Sequence, residues 1–517
     1  MPDVEFGEWL PDQRQVKTPG LLYVNHMSPS MAGWQPLPKR ETSEIEALFG
    51  EARGVFIGRT QDGEAFFFAA TDDKIYQESG SFTWTDRSKV GDYTLGPVDH
   101  WEFDVYGDAV YATNKNDPIQ RAASPGGTFA DISAHAPFAG TIATAKEFLM
   151  AGNLEARGNN IGSGAEGEGA LHWSAIGDPT DWPTIATADA INKQSDFQIL
   201  EGDGGPVVQI VDAAEYTAVF RQKQVWRADQ VGAPKFWTFR KIDNKRGAVV
   251  PNAAIAVGNF VYFLSREGFM IFNGAQTQTI GFEKIDRTVL NEIDWSRADA
   301  HCSVAHLPRL HSVVWSIPMT AGDIVFGNYN TLIGYNYDLK QFWHSGESNQ
   351  RVFAMEPRIT DLSMDGATYS SLDMDVALPT GLADQNMDEL GAGAGQDIVL
   401  SYFNTDNLIR SYSGIGGDWS TIHTGKFELP EGRRGMIRML RPSYIAEDLS
   451  NVAIGAGVLA RVQPGGPRTS WSFSEMKPSG VCPQRAVGRY HEGAFVYVGP
   501  VRDCVGFDFK AGRLGKK

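Results

Sequence analysis

Between residues 258 and 286 the chain reads GNFVYFLSREGFMIFNGAQTQTIGFEKID. Two apolar runs, 260–264 and 269–272, are joined by the turn Ser265-Arg266-Glu267-Gly268 and closed by Asn273-Gly274. That pattern predicts a β-hairpin with a second turn behind it. Looser copies occupy 64–84 and 323–343, each alternating apolar strands with polar turns and ending on an aromatic residue, Trp84 and Trp343. A four-strand module cannot bury both of its faces alone, so its repetition predicts blades closed into a ring, a β-propeller.

A chain of 517 residues is long enough for large cores and for two to four compact units. Composition favours all-β structure: there are 56 Gly, aromatics make up 11%, and the longest amphipathic helical pattern, 43–49, spans barely two turns. The formal net charge of −17 argues against a broad grip on nucleic-acid phosphate. Cys302, Cys482 and Cys504 lie far apart with no CxxC or Cys/His spacing, which predicts a reducing compartment and no structural zinc. The acidic, proline-broken start MPDVEFGEWLPD and the absence of an apolar run near 20 residues predict neither a signal peptide nor a membrane span.

Successive blades are expected at 55–84, 100–132, 146–182, 207–242, 253–281, 302–343 and, less regularly, 351–412, a count of six or seven within a propeller at 51–417. Residues 1–50 read as an extended arm, punctuated by Pro11, Pro19, Pro29, Pro36 and Pro38 but carrying Trp9, Leu21, Met27 and Trp34 for burial on its own core or on a neighbouring copy. Glycine-rich insertions at 157–169 and 378–395 are expected to project from the body. From 418 to 517 longer strands, parted by turns at 430–432 and 463–467, predict a separate β-sandwich or barrel-like domain, locally basic through Arg433, Arg434, Arg438 and Arg441.

No constellation of catalytic, cofactor or metal residues emerges from the sequence. The 157–169 loop lacks the GK[ST] ending of a phosphate loop and no helix-forming segment follows it. His301, His306 and His311 are spaced by five, which fits neither one helix face nor alternation on one strand, and they read as strand or turn residues. Asp72/Asp73 and Asp373/Asp375 read as turn acids, and 363–366 departs from a sialidase Asp box because Gly366 follows Asp365 directly and Tyr369 stands where Trp is expected. No nucleophile elbow or Cys/His pair is present. Trp173 and Trp182, flanking the turn in 173–182, are expected to pack between blades.

That segment, WSAIGDPTDW, resembles the tail nozzle proteins of short-tailed bacteriophages, also called packaged-DNA stabilisation or head-completion proteins. Further resemblance lies in Leu21-Leu22-Tyr23-Val24-Asn25, Pro36-Leu37-Pro38, the hairpin at 261–268 followed by 280–286, and the ending Arg485-Ala486-Val487-Gly488-Arg489-Tyr490. The resemblance implies a virion protein made in the bacterial host cytoplasm, whose ring of six propeller subunits sits below the portal and adaptor. Such a ring would continue the channel for double-stranded DNA without reading its sequence and would meet a needle or tail fibre below. A head-to-tail ring needs two different surfaces on one subunit, which the arm and the basic terminal domain could supply. A charge of −17 per copy suits a lining along which DNA slides. On this reading Arg433, Arg434, Arg438 and Arg441 contact a neighbouring subunit or the adaptor. Asn159, Asn160, Glu166, Glu168, Asp384 and Asp388 are candidates for loops facing the channel, and Arg485, Arg489 and Tyr490 brace the terminal domain. The alternatives are a carbohydrate-binding or carbohydrate-cleaving propeller, which would bring two or more acids and exposed Trp or Tyr to the central channel, and a cellular scaffold.

Overall fold

The computed structural model describes residues 4–513 except 15, 17–19, 134, 156–166, 321–329, 356–397, 430–433, 447–451 and 464–467. Six four-stranded antiparallel sheets follow one another at 54–86, 102–131, 138–199, 207–243, 254–279 and 303–345. Their first strands neighbour one another in chain order, and the strand Arg351–Met355 of a seventh sheet returns to the first, Gly54–Arg59. The fold is therefore an all-β propeller of seven blades. The third blade is larger than the aromatic pattern suggested, because its inner strand Phe138–Ala145 is rich in Ala, Gly and Thr and its outer strand Phe197–Ile199 follows a helical turn at Ala188–Asn192. Trp173 packs on the side of this blade that faces the fourth, and Trp182 on the side that faces the second.

The seventh blade is assembled from distant segments. Arg351–Met355 pairs with Val399–Phe403, which pairs with the first part of Ile409–Thr424, and the outermost place is taken by Pro38–Thr42 from the N-terminal region. Ile409–Thr424 then leaves the propeller and enters a β-sandwich, where it lies between Leu21–Asn25 and Tyr490–Gly499. Ala453–Arg461 and Arg468–Glu475 extend that sheet. The facing sheet runs Met27–Ser30, Gly33–Pro36, Val501–Arg513, Gly435–Ala446, Cys482–Gly488. The described part of residues 1–50 lies on the chain's own core, as strands of both sandwich sheets and of the seventh blade, and Ile409–Thr424 runs unbroken across 417/418. An edge strand with unpaired N–H and C=O groups demands a partner, and the N-terminal strands provide it. One core joins Trp9, Leu21, Trp34, Phe495 and Phe507 of the sandwich to Phe269, Trp315 and Trp343 of the fifth and sixth blades.

Gly268 and Gly281, in and just after the hairpin at 260–272, are required by a buried acid. Asp286 begins the helix Asp286–Glu292 and is 5% exposed. Its Oδ1 accepts the Phe269 N–H at 3.1 Å, while Oδ2 has no partner. A Cβ on Gly268 or Gly281 would lie 2.1 or 2.0 Å from this carboxyl, so side chains are excluded at both positions. Burial, aided by the nearby Asp12 charge and only partly opposed by the Phe269 N–H, pushes the Asp286 pKa up to about 7. A carboxyl raised from about 3.9 in the unfolded chain stabilises the fold fully below pH 4, and that contribution is lost as the pH rises through 7. Asp286→Asn keeps the acceptor and cannot ionise. In urea titrations it is expected to be more stable than wild type by roughly 2–4 kcal/mol at pH 8 and to show little advantage at pH 4. Parallel pH dependence of the two proteins would contradict this.

Candidate functional site

Each inner strand turns an unpaired edge toward the central axis, and side chains from adjoining blades seal all seven junctions. Arg53 of the first blade donates to the carbonyls of Gly96, Pro97 and Asp99 leading into the second, at 2.6–3.1 Å. Asp104 of the second accepts the Thr144 N–H of the third, whose Thr141 Oγ1 accepts the Ile210 N–H of the fourth at 3.2 Å. Gln209 of the fourth pairs with both backbone groups of Ala254 in the fifth, at 3.0 and 3.1 Å. The Trp315 indole of the sixth donates to Ala253, and Ser303 Oγ of the sixth accepts the Val352 N–H of the seventh. Arg351 of the seventh donates to Ala300, Cys302 and Arg53, and Gln350 accepts the Ala52 N–H, which shuts the ring. These contacts replace the ladder hydrogen bonds that an inner edge lacks.

They enclose a channel of about 630 Å³ lined from all seven inner strands. Glu102 and Asp104 from the second blade, Asp212 from the fourth and Arg351 from the seventh are its charged groups among the described residues. Burial raises the pKa of Glu102 well above the usual carboxylate range and raises those of Asp104 and Asp212. Nothing in the sequence pattern marked these acids, because Glu102 and Asp104 alternate along one strand as polar residues facing solvent would. The Trp lining the cavity, Trp101, is 1% exposed and donates its indole N–H to Thr71.

A second polar cluster, also unmarked in the sequence, welds the propeller to the sandwich. Ser345 Oγ lies 2.7 Å from His26 Nδ1 and 2.7 Å from the Tyr412 hydroxyl, and His26 Nε2 is 3.8 Å from Glu347. Arg40 bridges Glu347 and Asp418. Serine, histidine and glutamate stand in the order of a hydrolytic triad, but Ser345 is wholly buried and burial, with Arg40 nearby, lowers the His26 pKa to about 3. A sealed serine cannot meet a substrate, and the cluster satisfies the polar groups of a buried seam.

On the outer face of the sandwich, the strand Gly435–Ala446 carries exposed Arg438 and Arg441, with exposed Arg434 just before it. A bulge between Ile437 and Met439 keeps Arg438 and Arg441 on one face although they are three residues apart. The strands on either side add exposed Arg485 and Lys510, and Asp508 lies opposite Arg441 in register. The structure therefore brings Arg485 into the basic set, whereas the exposed Arg489 reaches Glu428 at 3.4 Å and lies over the Tyr490 ring. Residues 418–517 hold 15 Lys and Arg against 9 Asp and Glu, a formal +6, and residues 1–417 hold 31 against 54, a formal −23.

Other candidate positions fall differently. Arg433, Asn159, Asn160, Glu166, Asp384 and Asp388 lie outside the described residues. Glu168 belongs to the strand Gly167–Trp173, and its carboxylate is 3.6 Å from Lys115 of the second blade. The insertions expected at 157–169 and 378–395 lie outside the described residues apart from 167–169, which open the strand Gly167–Trp173. His301 faces Glu51, whereas His306 and His311 both pack on the Tyr337 ring, His306 Nε2 lying 3.2 Å from its hydroxyl and His311 Nδ1 3.0 Å from Asp338. Among the described residues no helix is long and apolar enough to cross a membrane.

Fold and site together define a seven-bladed β-propeller joined to a β-sandwich by the shared strand Ile409–Thr424 and by the N-terminal strands. No family model matches the sequence, and none of the curated proteins matches it. Solved structures similar to it include BamB from Moraxella catarrhalis, at 8% identity over 73% of this chain and 96% of that one with a TM-score of 0.36. The extracellular domain of the one component system BT4673 from B. thetaiotaomicron shares 10% identity over 92% and 63%, with a TM-score of 0.39. The computationally designed Ika8 protein shares 7% over 72% and 99%, with a TM-score of 0.36.

Proposed function

We propose that the protein is a virion structural component, a tail nozzle or hub whose copies form a ring, a hexamer by family resemblance, that continues the DNA channel below portal and adaptor. The observation that carries this reading is the division of charge: a basic sandwich face on a chain whose remainder is strongly acidic. Unlike surfaces on one subunit are what head-to-tail closure requires, and complementary charge sets the register of such a contact. The propeller's own channel, about 630 Å³, has the size of a small-molecule site and not of a duplex. The DNA path in this proposal therefore runs between subunits, past acidic propeller surfaces that do not hold phosphate. The carbohydrate reading is weaker: acids line the channel, but four of the junction contacts, those of Asp104, Gln209, Ser303 and Arg351, use its polar residues, and its Trp is buried.

Reversing Arg434, Arg438 and Arg441 to Glu tests the ring. Wild type is expected to form closed rings in native mass spectra and electron micrographs, and the triple variant to stay monomeric at ten times the wild-type assembly concentration while keeping its circular dichroism. A wild-type protein that remains monomeric and is absent from purified tails would end the proposal. A variant that assembles as wild type would remove the arginines from it.

A further inference from the structure

The central channel is short of positive charge. Glu102 lines it and is 8% exposed, and its Oε2 has no hydrogen-bond partner. Asp104, on the same strand, accepts from the Thr144 N–H. Asp212, on the far side of the third blade's inner strand, accepts the Thr217 hydroxyl at 2.6 Å. Lys146 Nζ approaches Asp212 at 3.7 Å but is also bound to the Ala214 carbonyl at 3.1 Å. Arg351 is turned to three carbonyls and forms no ion pair with these acids. Between the second- and fourth-blade acids lie Ile142, Ala143 and Thr144 of the third blade, with Ile210 of the fourth, a mostly apolar wall.

We propose that this cavity binds a small aliphatic dication, one ammonium seated at Glu102 and Asp104 and the other at Asp212, with the methylene chain along the apolar wall. Its volume lies within the roughly 300–1,000 Å³ of small-molecule sites. Buried carboxyls that oppose one another's ionisation are relieved by an entering cation, and an ammonium leaving water needs more than one such partner. Among the described residues no three acidic, His or Cys side chains converge closely enough for a metal ion, so the spacing suits an extended ligand. The site does not depend on ring formation.

Calorimetric titration of the full chain with 1,4-diaminobutane tests it, with butylamine and succinate as comparison ligands. Wild type is expected to bind the diamine one to one and butylamine at least tenfold more weakly, with no heat from succinate. Glu102→Gln and Asp212→Asn, both near-isosteric, are expected to weaken diamine binding at least tenfold. Absence of diamine binding at millimolar concentration, equal affinity for butylamine, or unchanged affinity in both folded variants would overturn the proposal. If a variant does not fold, the diamine and butylamine comparison on wild type decides.

Discussion

Arg351→Met is expected to lower stability by about 3 kcal/mol or more, although it removes no salt bridge to a carboxylate. The guanidinium is 2% exposed and donates to Ala300 at 2.6 Å, Cys302 at 2.8 Å and Arg53 at 2.9 Å. These carbonyls belong to the approaches to the sixth and first blades, while Arg351 opens the inner strand of the seventh. Met fills much of the volume but leaves the buried carbonyls of Ala300 and Cys302 without donors, each costing about 1–3 kcal/mol, while that of Arg53 keeps only the Trp101 N–H. Burial and the neighbouring Arg53 bring the Arg351 pKa down to about 10, so the side chain is charged at neutral pH and its hydrogen bonds are charge-assisted. Arg351→Lys is expected to recover less than half of the loss, because an ammonium cannot reproduce the planar fork that reaches three elements at once. Urea titration read by tryptophan fluorescence checks the magnitude, and hydrogen exchange checks the place: amides of 351–355 and 54–59 should open first. A midpoint unchanged from wild type, or faster exchange spread evenly over all blades, would refute the role of Arg351 as the closure.

Why the closure was hidden in the sequence, while the blades were not, follows from where their partners lie. The hairpin at 258–286 announces itself because strands, turns and Gly268 are contiguous, and alternation of apolar residues exposes the pleat. The seventh blade draws on 38–42, 351–355, 399–403 and the start of 409–424, so no window of sequence contains it. Arg351, Gln209 and Thr141 read as ordinary polar residues of strands, since their partners are backbone groups of other blades and leave no side-chain pattern to match. The basic strand was legible as a run of arginines, but the bulge that aligns Arg438 with Arg441, and the addition of Arg485 and Lys510, depend on register. Glu102, Asp104 and Asp212 come together only because the ring places the second and fourth blades around one cavity.

Deleting residues 1–42 is expected to unfold the sandwich and open the seventh blade, a larger loss than any single substitution. Among the described prolines of this region Pro11 lies in a turn, Pro36 and Pro38 at strand ends and Pro29 in the edge strand Met27–Ser30, and other strands of the region pair with Ile409–Thr424 and Val501–Arg513. Trp9 and Trp34 are 0% and 1% exposed, and Leu21, Val24, Met27 and Leu37 are equally buried in the largest core. At about 1.5–3 kcal/mol for each large buried side chain, these six contribute on the order of 10 kcal/mol, comparable with the whole net stability of a typical domain. The backbone loses as much: Pro38–Thr42 covers the outer edge of the seventh blade, and without it Ile409–Thr424 shows bare N–H and C=O groups, a template for aggregation. Asp12 also leaves, and with it the acceptor that caps Arg287 and Thr288 at the helix beside Asp286. An arm that served only to grip a neighbouring copy would give a different result, since its deletion would abolish assembly and leave a folded monomer. Size-exclusion chromatography with circular dichroism separates the two: an aggregated or partly unfolded product is expected, and a monodisperse monomer with wild-type melting would show that the N-terminal strands are dispensable to the fold.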